Sequence, residues 1–335
     1  MTAAAVDDVG AMSPSATRWV AQTLKAEVCQ AHALEGGRNN RVFRIELDND
    51  QTVLFKAYFR SDTDPRDRLG HEFGFSTFAR GLGIRAIPEP LAQSVELNAA
   101  LYAYVPGRML KPNEVETKHV DQAIELFQRL HADPKGPDAS ALPPGSEACF
   151  TNIDHVALVD QRVRKLDAIS EPTAAAFVER ELKPYWASIH PPIAKAADAF
   201  EPTPTCVSPS DFGFHNAIVR DDDGSLVFHD FEYAGQDDPA KLLGDFFHQP
   251  RIPAPKTTYP AFENAVVETL HLQEAQRHRF RTMLPVYRVK WCGIVLAPLL
   301  PEAAQRRKFA GIDIAPNQIV ERATALLHQP LPTSH

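Results

Sequence analysis

The segment Ser208-Pro209-Ser210-Asp211-Phe212-Gly213-Phe214-His215-Asn216 places a carboxylate, Asp211, five positions before an amide, Asn216. A second carboxylate, Asp230, follows after a stretch of hairpin length and opens Asp230-Phe231-Glu232. Phosphoryl transfer asks for such a set. One carboxylate must accept the proton of an attacking hydroxyl, while an amide oxygen and a second carboxylate hold Mg²⁺ against the phosphates. The spacing from base to amide, and the hairpin that delivers the second carboxylate, match that division of labour. Asp211 is the candidate base; Asn216 and Asp230 are the candidate metal ligands. Taken singly, Asp211 and Asn216 would read as turn residues and Asp230 as a loop acid. Their combination carries the signal.

Two upstream features suit the same chemistry. Gly36-Gly37-Arg38-Asn39-Asn40 stands between two strand patterns, and a glycine turn there can approach phosphates closely because it lacks side chains. Gly37, Asn39 and Asn40 are its candidate phosphate contacts. It is neither a G-x-G-x-x-G nor a Walker A loop. Lys56 interrupts the apolar run Val53-Leu54-Phe55-Lys56-Ala57-Tyr58. A nucleotide cleft would use such a lysine on the α- and β-phosphates, held by a helix glutamate, and Glu72 on the following helix pattern is the candidate partner. The competing reading is an edge-strand lysine that snorkels to water.

The elements that must position these residues fall into two halves. Residues 13–24 predict a leading helix with Ser13 or Ser15 as cap. Strands are predicted over 26–34, 41–47, 51–58, 90–95 and 100–105; in 41–47, Val42 and Arg44 alternate with Phe43 and Ile45, the period of a half-buried strand. A helix is predicted over 64–81, with Pro65 in its first turn and Gly81 near its end. Pro106-Gly107 breaks the chain, and the character then changes. Residues 115–131 carry Val120, Ala123, Ile124, Phe127 and Leu130 on one helical face. Helical patterns recur over 156–169, 172–200, and from Pro239 onward with proline breaks. A hairpin over 216–229 turns at Asp221-Asp222-Asp223-Gly224. That acid-rich tip lacks the spaced ligands of a calcium loop. A small β-rich part, 1–105, and a larger helical part, 106–335, predict two lobes with a cleft between them.

Composition narrows the partners. A chain of 335 residues with net charge −8 lacks the clustered cations that a nucleic-acid backbone demands. Cys29, Cys149, Cys206 and Cys292 lie far apart with no CxxC pair, which argues against a zinc or thioredoxin-like site. The opening MTAAAVDDVGAMSPS has acids where a secretion signal needs bases, and the longest apolar stretch, 292–300, is too short to span a bilayer. The expectation is a cytoplasmic protein with access to ATP, with no membrane and no nucleic-acid partner.

Assembled, these residues resemble the aminoglycoside phosphotransferase and choline kinase superfamily over roughly residues 34–247. Gly36 to Arg44 looks like its phosphate loop and following strand, Ala103-Tyr104-Val105-Pro106-Gly107 like its interlobe hinge, and Leu130-His131-Ala132 like the end of its first large-lobe helix. His229-Asp230-Phe231-Glu232-Tyr233-Ala234-Gly235 with Asp238-Pro239 resembles the metal-binding segment of choline-kinase-like members. The resemblance implies a two-lobed α+β protein-kinase-like fold, with a small β-rich N-lobe and a larger, mostly helical C-lobe. It also implies ATP as phosphoryl donor, Mg²⁺, adenine contacts from the backbone near Tyr104 and Val105, and a small-molecule hydroxyl acceptor such as an amino alcohol, a sugar or an aminoglycoside. Glu232 and Tyr233 fall near the acceptor site so implied, and Tyr287, Lys290 and Trp291 fall on a late helix that would wall it. One departure stands out. The family usually has a histidine two residues before the catalytic aspartate, and here that position is Pro209. Ser208, His215 or His229 is left to hold the loop. The departure keeps a second expectation open, a nucleotide-binding regulatory module without catalysis; a third is an α+β binding protein that takes no nucleotide.

Overall fold

The computed structural model describes residues 12–34, 40–60, 64, 66–132, 138–195, 204–301, 303 and 315–332. Helix α1 (Pro14–Leu24) begins where Ser13 accepts a hydrogen bond from the Ala16 amide, with Pro14 in the first turn, a position where its missing N–H costs nothing. Five strands follow as one antiparallel sheet in the order β1-β2-β3-β5-β4: β1 (Val28–Leu34), β2 (Arg41–Leu47), β3 (Thr52–Ala57), β4 (Pro90–Ser94) and β5 (Ala99–Ala103). The period-2 alternation sorts its two faces. Phe43, Phe55 and Leu101 are cross-strand partners and bury against Ala16 and Val20 of α1. Lys56 lies opposite Ala100 and so faces the other way.

Helix α2 (Arg68–Gly81) covers that second face. It starts later than the helix expected from residue 64, because Asp67 is the cap: its side chain accepts from the Gly70 amide. Leu69 packs with Tyr58, Ala100 and Tyr102 of the sheet, while Phe75 and Phe78 join the large core below. The helix therefore belongs to both apolar clusters.

After β5 the chain does not simply break at Pro106. Gly107–Met109 forms a short strand, β6, in a three-stranded sheet ordered β6-β8-β9 with β8 (Ala217–Arg220) and β9 (Leu226–Phe228). A two-stranded pair joins β7 (Cys206–Ser208) to β10 (Gly235–Asp237), with Ser208 opposite Gly235. The remainder is helical: α3 (Thr117–Leu130), α4 (Asn152–Lys165), α5 (Pro172–Phe177), α6 (Lys183–Lys195), α7 (Pro239–His248), α8 (Tyr259–Thr269), α9 (Glu274–Leu296) and α10 (Pro316–His328). A five-residue π-helical stretch, Val178–Leu182, separates α5 from α6, so the helix expected over 172–200 is interrupted. Helix α9, in contrast, runs through Pro285 without a break. It packs on α4, α6, α7 and α10, and all ten residues of α7 are buried.

Candidate active site

The segment from Ser208 to Asn216 is fixed by its own aromatics. Phe212 stacks among Phe228 and Phe246 at 5.0 and 5.2 Å, and Phe214 meets Phe246 at 5.4 Å. Burying these rings, a large apolar contribution for so short a loop, leaves Asp211 outside the core with its side chain 36% exposed. Upstream, His131 at the end of α3 accepts the Val207 amide on Nε2 at 2.9 Å, while its Nδ1 lies 2.7 Å from the Phe127 carbonyl. Ser208 Oγ accepts the Ser210 amide at 3.1 Å. Ser210 holds φ +63, a left-handed conformation uncommon outside glycine and a strained feature of this loop.

Within the loop, His215 Nε2 lies 3.1 Å from Asp211 Oδ1. Asn216 Nδ2 donates to the Asp211 carbonyl at 3.0 Å and to its Oδ2 at 3.4 Å. Burial pushes the Asp211 carboxyl up, but the His215 and Asn216 hydrogen bonds reverse this and hold it below its ordinary value. The hairpin β8–β9 then returns the chain to Asp230, aided by the His229 amide donating to the Asn216 carbonyl at 3.0 Å. Asp230 also sits at positive φ, +67, and its Oδ1 accepts from Lys56 Nζ at 2.5 Å.

Lys56 bridges the sheet and the helical part. Its Nζ also donates to Glu72 Oε2 at 2.6 Å, so one buried ammonium serves two carboxylates. Burial disfavours its charge, yet Glu72 and Asp230 outweigh that and hold it above the ordinary lysine value. Burial pushes the Glu72 carboxyl up to about 7 against the pull of Lys56. Burial likewise raises Asp230, but Lys56 brings it below its usual range. His229, buried beside this group, is held down at about 4 by desolvation. Lys56, Glu72, Asp211, Asn216 and Asp230 are thus brought together from four elements.

The donor set suits a hard divalent cation. Because Asn216 spends its Nδ2 on Asp211, its carbonyl oxygen is the atom left for a cation, and Asp230 offers a carboxylate. Among the described residues, no group of three or more His, Cys, Asp or Glu could hold a metal alone. Mg²⁺ would need only one or two protein oxygens, completed by phosphates and water.

The segment after Asp230 is pinned to the sheet side. Phe231 packs on Phe75 of α2 at 4.6 Å. Glu232, 4% exposed, accepts from Asn40 Nδ2 at 2.6 Å and lies 3.6 Å from Arg68 Nε. The Asn40 Oδ1 in turn accepts the Phe59 amide at 3.1 Å. The Tyr233 ring carries the Arg66 guanidinium at 5.3 Å, and burial pushes its hydroxyl up to about 12. The Ala234 carbonyl lies 2.7 Å from His71 Nδ1. The Glu232 carboxylate is therefore committed to Asn40 and Arg68. Gly37 and Asn39 lie outside the described residues. Tyr104 and Val105 follow β5 directly, and Arg44 stacks on the Tyr104 ring at 5.3 Å.

Sequence reasoning did not single out Arg68 or His71. A signal existed for Arg68, which precedes Glu72 by one helical turn and therefore shares its face. The link between Asn40 and Glu232 spans 192 positions and has no local signature. Of the late-helix residues, Lys290 Nζ donates to both oxygens of Asp245 at 2.9 and 2.7 Å, Trp291 Nε1 donates to Asp245 Oδ1 at 2.9 Å, and Tyr287 bonds His155.

The sequence model of the phosphotransferase enzyme family matches residues 30–281. Several solved structures share the fold. A choline/ethanolamine kinase family protein from Mesorhizobium loti superposes with a TM-score of 0.55 at 19% identity, covering 90% of this chain and 89% of that one. The choline kinase LicA from Streptococcus pneumoniae gives 0.59 at 15% identity, covering 93% and 97%. The streptomycin–ATP–APH(2″)-IIa ternary complex gives 0.56 at 15% identity, covering 95% and 97%. The comparison with curated proteins finds no match. Among the described residues, no helix is long and apolar enough to cross a membrane.

Proposed function

The chain belongs to the phosphotransferase enzyme family, and from that premise we propose that it is an ATP- and Mg²⁺-dependent kinase acting on a hydroxyl of a small molecule. The observation that supports this reading is the clustering of Lys56, Glu72 and Asp230 beside the paired Asp211 and Asn216. In this proposal residues 1–105 form the lobe that takes the nucleotide phosphates, and residues 106–335 supply the catalytic loop and the acceptor side. Asp211 accepts the acceptor's hydroxyl proton, the freed oxygen bonds the γ-phosphorus, and the bond to the β,γ-bridging oxygen breaks to release ADP. Lys56, held by Glu72, neutralises phosphate charge. Asn216 and Asp230 would hold Mg²⁺, which would offset the charge on the phosphoryl oxygens. Tyr104 and Val105 are the proposed adenine contacts, and Gly37, Asn39 and Asn40 the proposed phosphate contacts.

The proposed acceptor class is an amino alcohol, a sugar or an aminoglycoside-like compound, met near Tyr233. Because Glu232 is taken by Asn40 and Arg68, its role here is to fasten the metal-binding segment rather than to attract a cationic acceptor. Pro209, where the family usually has histidine, favours one alternative, a module that binds nucleotide and transfers nothing.

The test is thermal unfolding with ATP, with Mg²⁺ present or chelated, followed by a screen for phosphorylated hydroxyl compounds. Ligand at 100 times its Kd adds about 2.7 kcal/mol to the native state. A Mg²⁺-dependent rise that Asp230→Ala weakens, with a phosphorylated product, is the expected result. A rise without product supports the module, and no rise rejects the nucleotide site.

A further inference from the structure

We propose that His215 is a positioning residue for the transfer step, orienting the Asp211 carboxylate through a hydrogen bond from Nε2; this rests on the kinase reading of the site. The terminal torsion of an aspartate is broad and weakly preferred, so its rotamer alone does not fix which oxygen faces a substrate. In this loop each oxygen is held. His215 Nε2 lies 3.1 Å from Oδ1 and Asn216 Nδ2 lies 3.4 Å from Oδ2. The longer contact belongs to the oxygen left for an acceptor proton, and the shorter one anchors the carboxylate plane.

The tautomer follows from the partner. An ionised carboxylate only accepts, so Nε2 must carry the proton. The other ring nitrogen, Nδ1, is buried with no hydrogen-bond partner among the described residues. It faces the backbone of Gly213, where an added Cβ would come within 2.9 Å of it. The loop thus has a glycine where the imidazole folds back over it, and the ring is 8% exposed. Phe212 and Phe214 sink into the core on either side of Gly213, which leaves Asp211 and His215 to meet four residues apart.

Three variants test this: His215→Gln, which can keep a side-chain N–H donor; His215→Leu, which fills the space without one; and Gly213→Ala, which displaces the ring. Two readouts are added to the MgATP-induced thermal shift. One is ADP release from MgATP with water as acceptor and with each compound phosphorylated in the screen. The other is the imidazole ¹⁵N spectrum, with the His215 signal identified by its loss in His215→Gln.

The expected result is turnover about 10- to 100-fold lower in His215→Leu and Gly213→Ala, the scale of a small misplacement of a catalytic group. KM for MgATP and the MgATP-induced thermal shift should stay near wild type, and His215→Gln should recover most of the rate. Wild-type protein should show Nε2 protonated. Wild-type turnover in His215→Leu, failure of glutamine to rescue, or a ring protonated at Nδ1 alone would overturn the proposal. Loss of the wild-type MgATP shift would reject the kinase reading instead. A normal MgATP shift with no wild-type turnover on any acceptor would remove the catalytic role of His215.

Discussion

Replacing Arg279 by methionine should destabilise the helical part of this protein strongly without touching Lys56, Asp211 or Asp230. Asp238, fully buried, accepts from Arg279 Nη1 on Oδ1 at 3.0 Å and from Arg279 Nη2 on Oδ2. His155 Nε2 lies 3.1 Å from Oδ2, and the Ala240 amide donates to Oδ1 at 2.7 Å, which caps α7. Burial pushes the Asp238 carboxyl up, yet hydrogen bonds from His155 and Arg279 hold it below its ordinary value. Arg279 also donates to Asn152 at the start of α4. The methionine variant leaves a buried carboxylate without its cation, a loss of about 3–5 kcal/mol. With about 2.1 cal/mol/K of unfolding entropy per residue, a chain of 335 residues converts that loss to a Tm lower by about 4–7 °C. Scanning calorimetry measures it as the shift of the whole chain's unfolding transition. The double variant Asp238→Asn with Arg279→Met removes both charges while asparagine still caps α7, and should lose less than Arg279→Met alone. A Tm change under about 1 °C in Arg279→Met, or a double variant less stable than the single one, would refute the uncompensated-charge reasoning.

Lys56→Met leaves Glu72 and Asp230 without their shared cation; turnover should fall roughly 10²–10³-fold, read as ADP release at saturating MgATP. Gly235→Ala would drive a Cβ to 2.3 Å from the Pro143 carbonyl oxygen and 2.7 Å from the Gly145 amide. Strand β10 must then shift against β7 and the loop that follows it, at a cost of about 1–3 kcal/mol, measured by urea denaturation alongside a lowered kcat. His248 gives a pH test. Its Nδ1 lies 2.8 Å from the Gly244 carbonyl, and burial holds it down at about 4. An unfolded imidazole titrates near 6.5, so between these values the unfolded chain binds more protons. Stability is then full above about 6.5 and falls on acidification towards 4 by up to about 1.4 kcal/mol per pH unit. His248→Gln should flatten that slope in urea midpoints taken between pH 7 and 5, and an unchanged slope would exclude His248 as its source.

The local structure was largely legible in the sequence. The alternation of Phe43 and Ile45 with Val42 and Arg44 gave β2, and the same period placed Lys56 on the face opposite Phe55. The Asp211-to-Asn216 spacing identified a loop whose two polar side chains do meet. The start of α2 was misplaced because Asp67, a cap, competes locally with Pro65 as a start signal. The strands β6, β7 and β10 have three residues each, too few for any periodicity to register. Proline breaks were expected from Pro239 onward, yet α9 continues through Pro285, packed on α4, α6, α7 and α10.

Lys241 and Asp245 lie in a helix whose every residue is buried. Sequence alone would place both charges in water, whereas Asp237 and Lys290 pair with them in the core. What the sequence determined by itself is whatever depends on neighbours along the chain: strand faces, caps, the hairpin, and the order of Asp211, Asn216 and Asp230. Only the tertiary structure decided that Lys56 reaches Asp230 across 174 positions and Asn40 reaches Glu232 across 192. Such partners are chosen by burial, since a charge removed from water must find its counter-charge wherever packing brings one.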